Sequence, residues 1–144
     1  MPQVCEVPST TTSSQTGKAA PFGFQLLLDL YECKEGACDD LGLCYAFLEQ
    51  IVKVLRVQPQ SPPFLFRTDA KRFPDKAGLS GWAPLVESGI QLHTLTVKNF
   101  ISIDVYSCRE FALEPGMEFA RSSFAPKRIG HQFVERGLDY HTSS

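Results

Sequence analysis

From Ile101 to Tyr106 apolar and polar side chains alternate without a break. Ile101, Ile103 and Val105 form one set; Ser102, Asp104 and Tyr106 form the other. A strand with this period of two lies with one face on a core and the other turned outward. It commits the chain to a sheet covered on one side. The covering layer is legible upstream, where Leu41, Cys44, Phe47, Leu48, Ile51, Val52 and Leu55 recur at helical spacing. Residues 40–55 therefore read as an amphipathic helix. Asp39 and Asp40 offer it an N-cap and favourable charge at its first turn.

The remaining elements follow from similar signals. Residues 24–31 are short, apolar and preceded by Gly23, and read as a buried strand. Residues 64–68, 80–87, 91–96 and 129–136 read as further strands, and 69–78, with Pro74 and Gly78, as a loop. Residues 115–124 suit a second helix with Pro115 in its first turn. Strands broken by two helices predict an α+β two-layer sandwich, a mostly antiparallel sheet with helices on one face. Residues 1–21 contain PSTTTSSQTG and too few apolar side chains to offset the entropy of ordering. They are expected to form a flexible arm, with 22–144 as one domain.

Composition narrows the function classes. The chain has 144 residues, 43% hydrophobic and 21% charged, with a formal charge of -2. No basic run favours nucleic acid or an anionic membrane. No apolar stretch approaches the ~20 residues that span a bilayer. The first 20 residues lack the apolar core of a signal peptide, so a cytoplasmic protein is expected. Five cysteines, an odd count without a secretion signal, argue against a disulfide framework. Cys33, Cys38 and Cys44 contain no CxxC pair, and His93 is distant in sequence, so reduced thiols are expected rather than a metal site.

Lys98 and Asn99 suit a turn between two strands. A hairpin centred near Lys98 sets Ser88 opposite Cys108 and Leu92 opposite Asp104. His93 lies five residues beyond Ser88, an odd spacing that puts the two on opposite faces of an ideal strand. They share a site only if Gly89 marks a bulge or turn, which glycine permits. Each of these residues has an ordinary structural role open to it. A single cysteine is commonly a small buried hydrophobe, and a single strand histidine a satisfied structural residue.

The segment from Gly78 to Cys108 reads GLSGWAPLVESGIQLHTLTVKNFISIDVYSC. It resembles the heart of the bacterial-type S-adenosylmethionine decarboxylases, whose pattern is GVSGVxxxxESHxxIHTWPExxxxxxDxxxC. Gly78, Ser80, Gly81, Glu87, Ser88, His93, Thr94, Asp104 and Cys108 match it without insertion or deletion. GFQLLLDLYEC, starting at Gly23, is similar to the family's opening GxHLxxDLYxC, and FVERGL, starting at Phe133, to its closing strand. The likeness covers roughly residues 22–138.

The resemblance implies self-cleavage between Glu87 and Ser88 and conversion of Ser88 to a pyruvoyl group. Ser80 and His93 match the family residues that assist cleavage; an imidazole titrates near neutral pH and suits proton transfer. The pyruvoyl ketone condenses with the substrate amine and acts as an electron sink when carbon dioxide leaves. Cys108 matches the residue that returns a proton to carbon, a task that suits a thiol. The resemblance also implies a small amino-acid-type substrate and a homodimer of cleaved protomers with the site at the interface.

The pattern departs where the family binds the nucleoside. Its HTWPE becomes HTLTV, so Leu95, Thr96 and Val97 replace Trp, Pro and the glutamate that holds the ribose hydroxyls. Losing a charge-assisted contact of ~1.5–3 kcal/mol weakens nucleoside binding tenfold to a hundredfold or more. Gly89 replaces a histidine, and Gln25 another. Phe73 matches the place of an aromatic adenine platform. Asp29 and Glu32 suit a cationic substrate group. Three readings follow: a S-adenosylmethionine decarboxylase of spermidine synthesis, a pyruvoyl-dependent decarboxylase of arginine or ornithine, or a non-catalytic relative acting through dimer or partner contacts.

Overall fold

The computed structural model describes residues 19–142; residues 1–18, most of the expected arm and Cys5 among them, lie outside the described residues, as do 143–144. The elements are β1 (Gly23–Tyr31), α1 (Leu41–Val54), β2 (Phe64–Arg67), β3 (Leu79–Leu85), β4 (Ser88–Leu95), β5 (Phe100–Ser107), α2 (Leu113–Phe124) and β6 (Arg128–Arg136). The strands form one sheet in the order β2-β3-β4-β5-β1-β6. Every neighbouring pair is antiparallel. The α+β sandwich expected from the periodicity is the fold observed.

The alternation decides which side of the sheet is covered. Leu26, Leu28 and Leu30 of β1, Ile90, Leu92 and Thr94 of β4, and Ile101, Ile103 and Val105 of β5 are buried beneath the helices. Each fully buried aliphatic side chain contributes about 1.5–3 kcal/mol over leaving it in water. Helix α1 begins where Asp40 accepts a hydrogen bond from the Leu43 N–H at 2.9 Å, and it buries Cys44, Phe47, Leu48, Ile51 and Val52. Helix α2 locks beside it: Phe47 stacks on Phe119 at 5.3 Å and tilts against Phe124 at 4.9 Å. It ends at Ala125, in the left-handed region at φ 44°, just before Pro126.

One buried polar residue stitches the layers. Thr94 donates its hydroxyl to the Cys38 carbonyl at 2.6 Å and accepts from the Leu79 N–H at 2.8 Å. Its buried oxygen is thereby satisfied. Gly78 passes so close that a Cβ there would lie 2.0 Å from the Thr94 carbonyl oxygen, and its φ of 149° favours glycine.

The β4–β5 hairpin turns through residues 96–99, with Asn99 in the left-handed region at φ 50°. Its register differs by one residue from that of a hairpin centred on Lys98. Ser88 faces Ser107 rather than Cys108, Gln91 faces Asp104, and Leu92 faces Ile103. The expected pairing would have turned Asp104 toward the helices opposite Leu92. A one-residue slip moves every side chain to the other face, so the buried face enforces the observed register. β4 also begins earlier than expected, at Ser88, because Val86 and Glu87 form the turn from β3. Gly89 makes no bulge: pairing between β3 and β4 runs unbroken from Ser80–His93 to Leu85–Ser88.

Candidate active site

The face of the sheet away from the helices carries the polar half of each alternation. Across its middle runs one row of paired residues: Asp29 on β1 faces Ser102 on β5, which faces His93 on β4, which faces Ser80 on β3. Ser80 and His93 meet directly, Oγ to Nδ1 at 3.1 Å. Cross-strand pairing is the cause, since opposite residues on one face are brought together whatever their separation in sequence. Thr94, pinned from the buried side, fixes the β4 backbone beside His93.

Ser88, Glu87 and Cys108 gather at one end of the sheet. The Cys108 N–H donates to the Glu87 carbonyl at 2.9 Å. The Glu87 carboxylate accepts from the Gln58 N–H at 3.0 and 3.2 Å, and the Val86 N–H donates to the Gln58 carbonyl at 2.9 Å. The turn is therefore held from both sides. Directly after it, Ser88 adopts φ 148°. A non-glycine residue in that region carries strain of roughly 1–3 kcal/mol, which the surrounding bonds must impose. Ser107 is buried; its hydroxyl donates to the Arg109 carbonyl at 2.8 Å and accepts from the Arg109 N–H at 3.0 Å. That bend leaves Cys108 exposed.

The two clusters do not meet within one chain. His93 lies five positions along β4 from Ser88, roughly 16 Å at the usual rise. With no bulge at Gly89, the Ser80–His93 pair is out of reach of the Ser88 of its own chain. Glu32 lies farther still, past the opposite end of β1, where it pairs with Lys127 at 3.3 Å. It lines a cavity of about 460 Å³ with Tyr31, Leu95, Val97 and Phe100. Phe73 sits in the 69–78 loop, 44% exposed, with the Arg72 guanidinium 5.1 Å from its ring centre. Asp29 lies in the central row and bears on Asp104, whose pKa is raised by burial and by the Asp29 charge.

A second cavity, of about 350 Å³, opens beside Ser88 and is lined by Gln25, Trp82, Gly89, Gln91, Asp104 and Tyr106. It gives room beside Ser88, and the Cys108 N–H supplies a donor at the neighbouring carbonyl. The residues present thus fit a small carbonyl group formed in place of Ser88. Sequence reasoning missed three contributors. Gln58 acts through its backbone and leaves no residue-type signal. Ser107 carries the local side-chain-to-backbone pattern common for serine at turns. Trp82 fills space that only a glycine at 89 leaves open.

The three helix-side cysteines are buried, and a hydrogen bond between two of them raises the Cys33 thiol and lowers that of Cys38. Cys33 contacts the Leu30 carbonyl, Cys38 that of Phe100 and Cys44 that of Ala37. Burial, with the charges of Cys38 and Asp40, pushes the Cys44 thiol up to about 12.

Comparison with known proteins identifies the family. The family model described as S-adenosylmethionine decarboxylase matches residues 24–137. The S-adenosylmethionine decarboxylase proenzyme of Pyrobaculum aerophilum is 26% identical over 111 residues, covering 76% of this chain and 84% of its own. That of Pyrobaculum arsenaticum is 24% identical over 111 residues, with the same coverage of each. The crystal structure of the adenosylmethionine decarboxylase from Aquifex aeolicus superposes with a TM-score of 0.69 at 26% identity, covering 83% of this chain and 93% of that one. The motif, the sheet order and these matches converge: the chain belongs to the S-adenosylmethionine decarboxylase family of pyruvoyl-dependent carboxy-lyases.

Proposed function

We propose that the chain is a proenzyme that cleaves itself between Glu87 and Ser88 and then decarboxylates S-adenosylmethionine, in the cytoplasm, to make the aminopropyl donor for spermidine. One observation carries the cleavage: the 87–88 peptide combines a strained Ser88 backbone with a hydrogen-bond donor on the Glu87 carbonyl. The Ser88 Oγ attacks the Glu87 carbonyl carbon, and the Cys108 N–H stabilises the developing oxyanion. The peptide C–N bond breaks, leaving an ester and a free amine and relieving the strain at Ser88. A base removes the Ser88 α-proton, the ester C–O bond breaks, and Glu87 departs as a carboxylate. Water then replaces the nitrogen at the former Ser88, releasing ammonia and leaving a pyruvoyl ketone. That ketone supplies the electron sink for loss of carbon dioxide. Cys108, exposed at the same end of the sheet, delivers a proton to the substrate carbon.

The base that removes the α-proton is His93, held by Ser80 and supplied by a second copy; the separation of roughly 16 Å along β4 within one chain supports this reading. Two open faces stacked about a two-fold axis bring the central row of one chain toward the Ser88 end of the other. The same stacking carries the Phe73, Glu32 and Val97 end of one protomer toward the partner's Ser88. The exposed aromatic side chains Phe64, Phe66 and Trp82 on this face supply apolar surface for such a homodimer.

Mass spectrometry of freshly made protein tests the reading. Fragments of residues 1–87 and 88–144, the second starting with a pyruvoyl group, are expected. A single intact chain would leave the non-catalytic alternative. Mixing tests the dimer: chains carrying Ser88→Ala and chains carrying His93→Ala each stay uncut, whereas co-expression restores cleavage of the His93→Ala chain. A second substrate reading, arginine or ornithine, is favoured by Val97, which offers no acceptor for ribose hydroxyls. Carbon dioxide release with each amino acid separates the two.

A further inference from the structure

Strand β5 ends beside the 87–88 bond on a serine that water does not reach. Ser107 is fully buried and pairs with Ser88 of β4 on one side and with Phe24 of β1 on the other. Its hydroxyl takes both backbone groups of a single residue. It accepts the Arg109 N–H at 3.0 Å and donates to the Arg109 carbonyl at 2.8 Å. Serine bonds of this local kind replace the ladder with a turn. Two bonds from one oxygen to the residue two places on leave little freedom for the residue between, which is Cys108.

The bend is also backed from β1. A Cβ at Gly23 would lie 2.9 Å from the Ser107 carbonyl oxygen and 3.2 Å from the Cys108 Cα, so bare backbone is what fits against it. Held in this way, the Cys108 N–H donates to the Glu87 carbonyl at 2.9 Å. The clamp contributes little to the fold. Arg109 is exposed, so without the Ser107 hydroxyl its N–H and carbonyl can turn to water, and no buried group is left without a partner. Its contribution to geometry is larger, because a donor stabilises a developing oxyanion only when it is already aimed at the reacting carbonyl.

We propose that Ser107 is a positioning residue: by clamping Arg109, its hydroxyl sets the Cys108 N–H on the Glu87 carbonyl and so prepares the 87–88 bond for cleavage. The consequence for cleavage rests on the proenzyme reading; the placement of the amide rests on the clamp alone.

The Ser88→Ala chain cannot cut itself and gives a uniform precursor, in which amide hydrogen exchange is read by NMR. Adding Ser107→Ala should speed exchange at the Cys108 amide at least about tenfold and leave Leu92 and Ile103 protected. The thermal midpoint should fall by only a few degrees. With Ser88 restored, Ser107→Ala should slow self-cleavage at least about tenfold, toward the ~10²–10³ lost with an oxyanion donor. Ser107→Thr keeps the hydroxyl and should restore both protection and cleavage. Unchanged exchange at Cys108 in Ser107→Ala overturns the inference. So does protection lost across the whole sheet, which would make the residue structural, or an equal loss in Ser107→Thr, which would place the effect in packing. Wild-type protein that stays uncut defeats the proenzyme reading, while exchange still decides the placement. Wild-type and Ser107→Ala chains cut equally fast defeat this inference alone.

Discussion

The two faces of the sheet are built from the same strands by alternate residues, and they differ in what was settled within one chain. Beneath the helices every position is closed: Leu92 packs with Ile103, and the one fully buried threonine of β4 has both its hydrogen bonds. On the open face the next residues along the same strands, His93 and Asp104, look away from the helices. The covered face needs only shape and apolarity, which neighbouring elements provide. The proposed chemistry needs groups at set distances from the 87–88 bond, and the unbroken antiparallel ladder holds Ser88 and His93 apart. A period of two thus separates packed residues from the His93 and Asp104 face, while Ser88, opposite the buried Ser107 and Leu85, falls in the register of the covered face at the sheet's end.

That separation can be broken most directly at two adjacent residues. Leu92→Ala removes a buried side chain and should cost about 2–5 kcal/mol of stability, read as a large fall in thermal midpoint. His93→Ala should leave the midpoint nearly unchanged while slowing self-cleavage by ~10²–10⁴, the usual range for a lost acid or base. An unstable His93→Ala protein, or cleavage lost in folded Leu92→Ala, would merge the two faces.

Thiol chemistry sharpens the same contrast. Brief treatment of the native protein with iodoacetamide should label Cys108, exposed beside Glu87, and spare Cys33, Cys38 and Cys44. Burial shields those three, and a thiol pushed up to about 12, as at Cys44, holds almost no reactive thiolate at neutral pH. Peptide mapping reads the sites; prompt labelling of Cys44 in folded protein would show that the covered face opens.

The smallest effect is a dependence on pH. Burial and Asp29 raise the pKa of Asp104, so the folded chain holds that proton more tightly than the unfolded chain. Stability should therefore decline as pH rises from the ordinary carboxylate range through the raised value. Asp104→Asn should flatten that decline in urea unfolding curves measured across the window. A stability that rises instead would mean that a cation already balances Asp104.

Much of the fold was legible because alternation and helical spacing are local. Ile101, Ile103 and Val105 marked their own face, and Asp40 marked the start of α1 before any contact was known. The proposed self-cleavage chemistry was legible only through the fixed spacing of Ser80, Glu87, Ser88, His93 and Cys108, since each residue alone has a commoner structural role. The hairpin register was misplaced by one residue because turn length depends on the conformation of residues 96–99, above all on Asn99 at φ 50°.

What the chain's sequence determined by itself was which residues belong to which layer and which family they serve, because period and motif spacing are properties of the order of residues. The tertiary structure alone decided that Ser80 touches His93, that Cys108 points its N–H at Glu87, and that Trp82 stands over Gly89. Those contacts join residues on different strands, and their distances are fixed by ladder register and backbone strain, quantities that exist only once the sheet has closed.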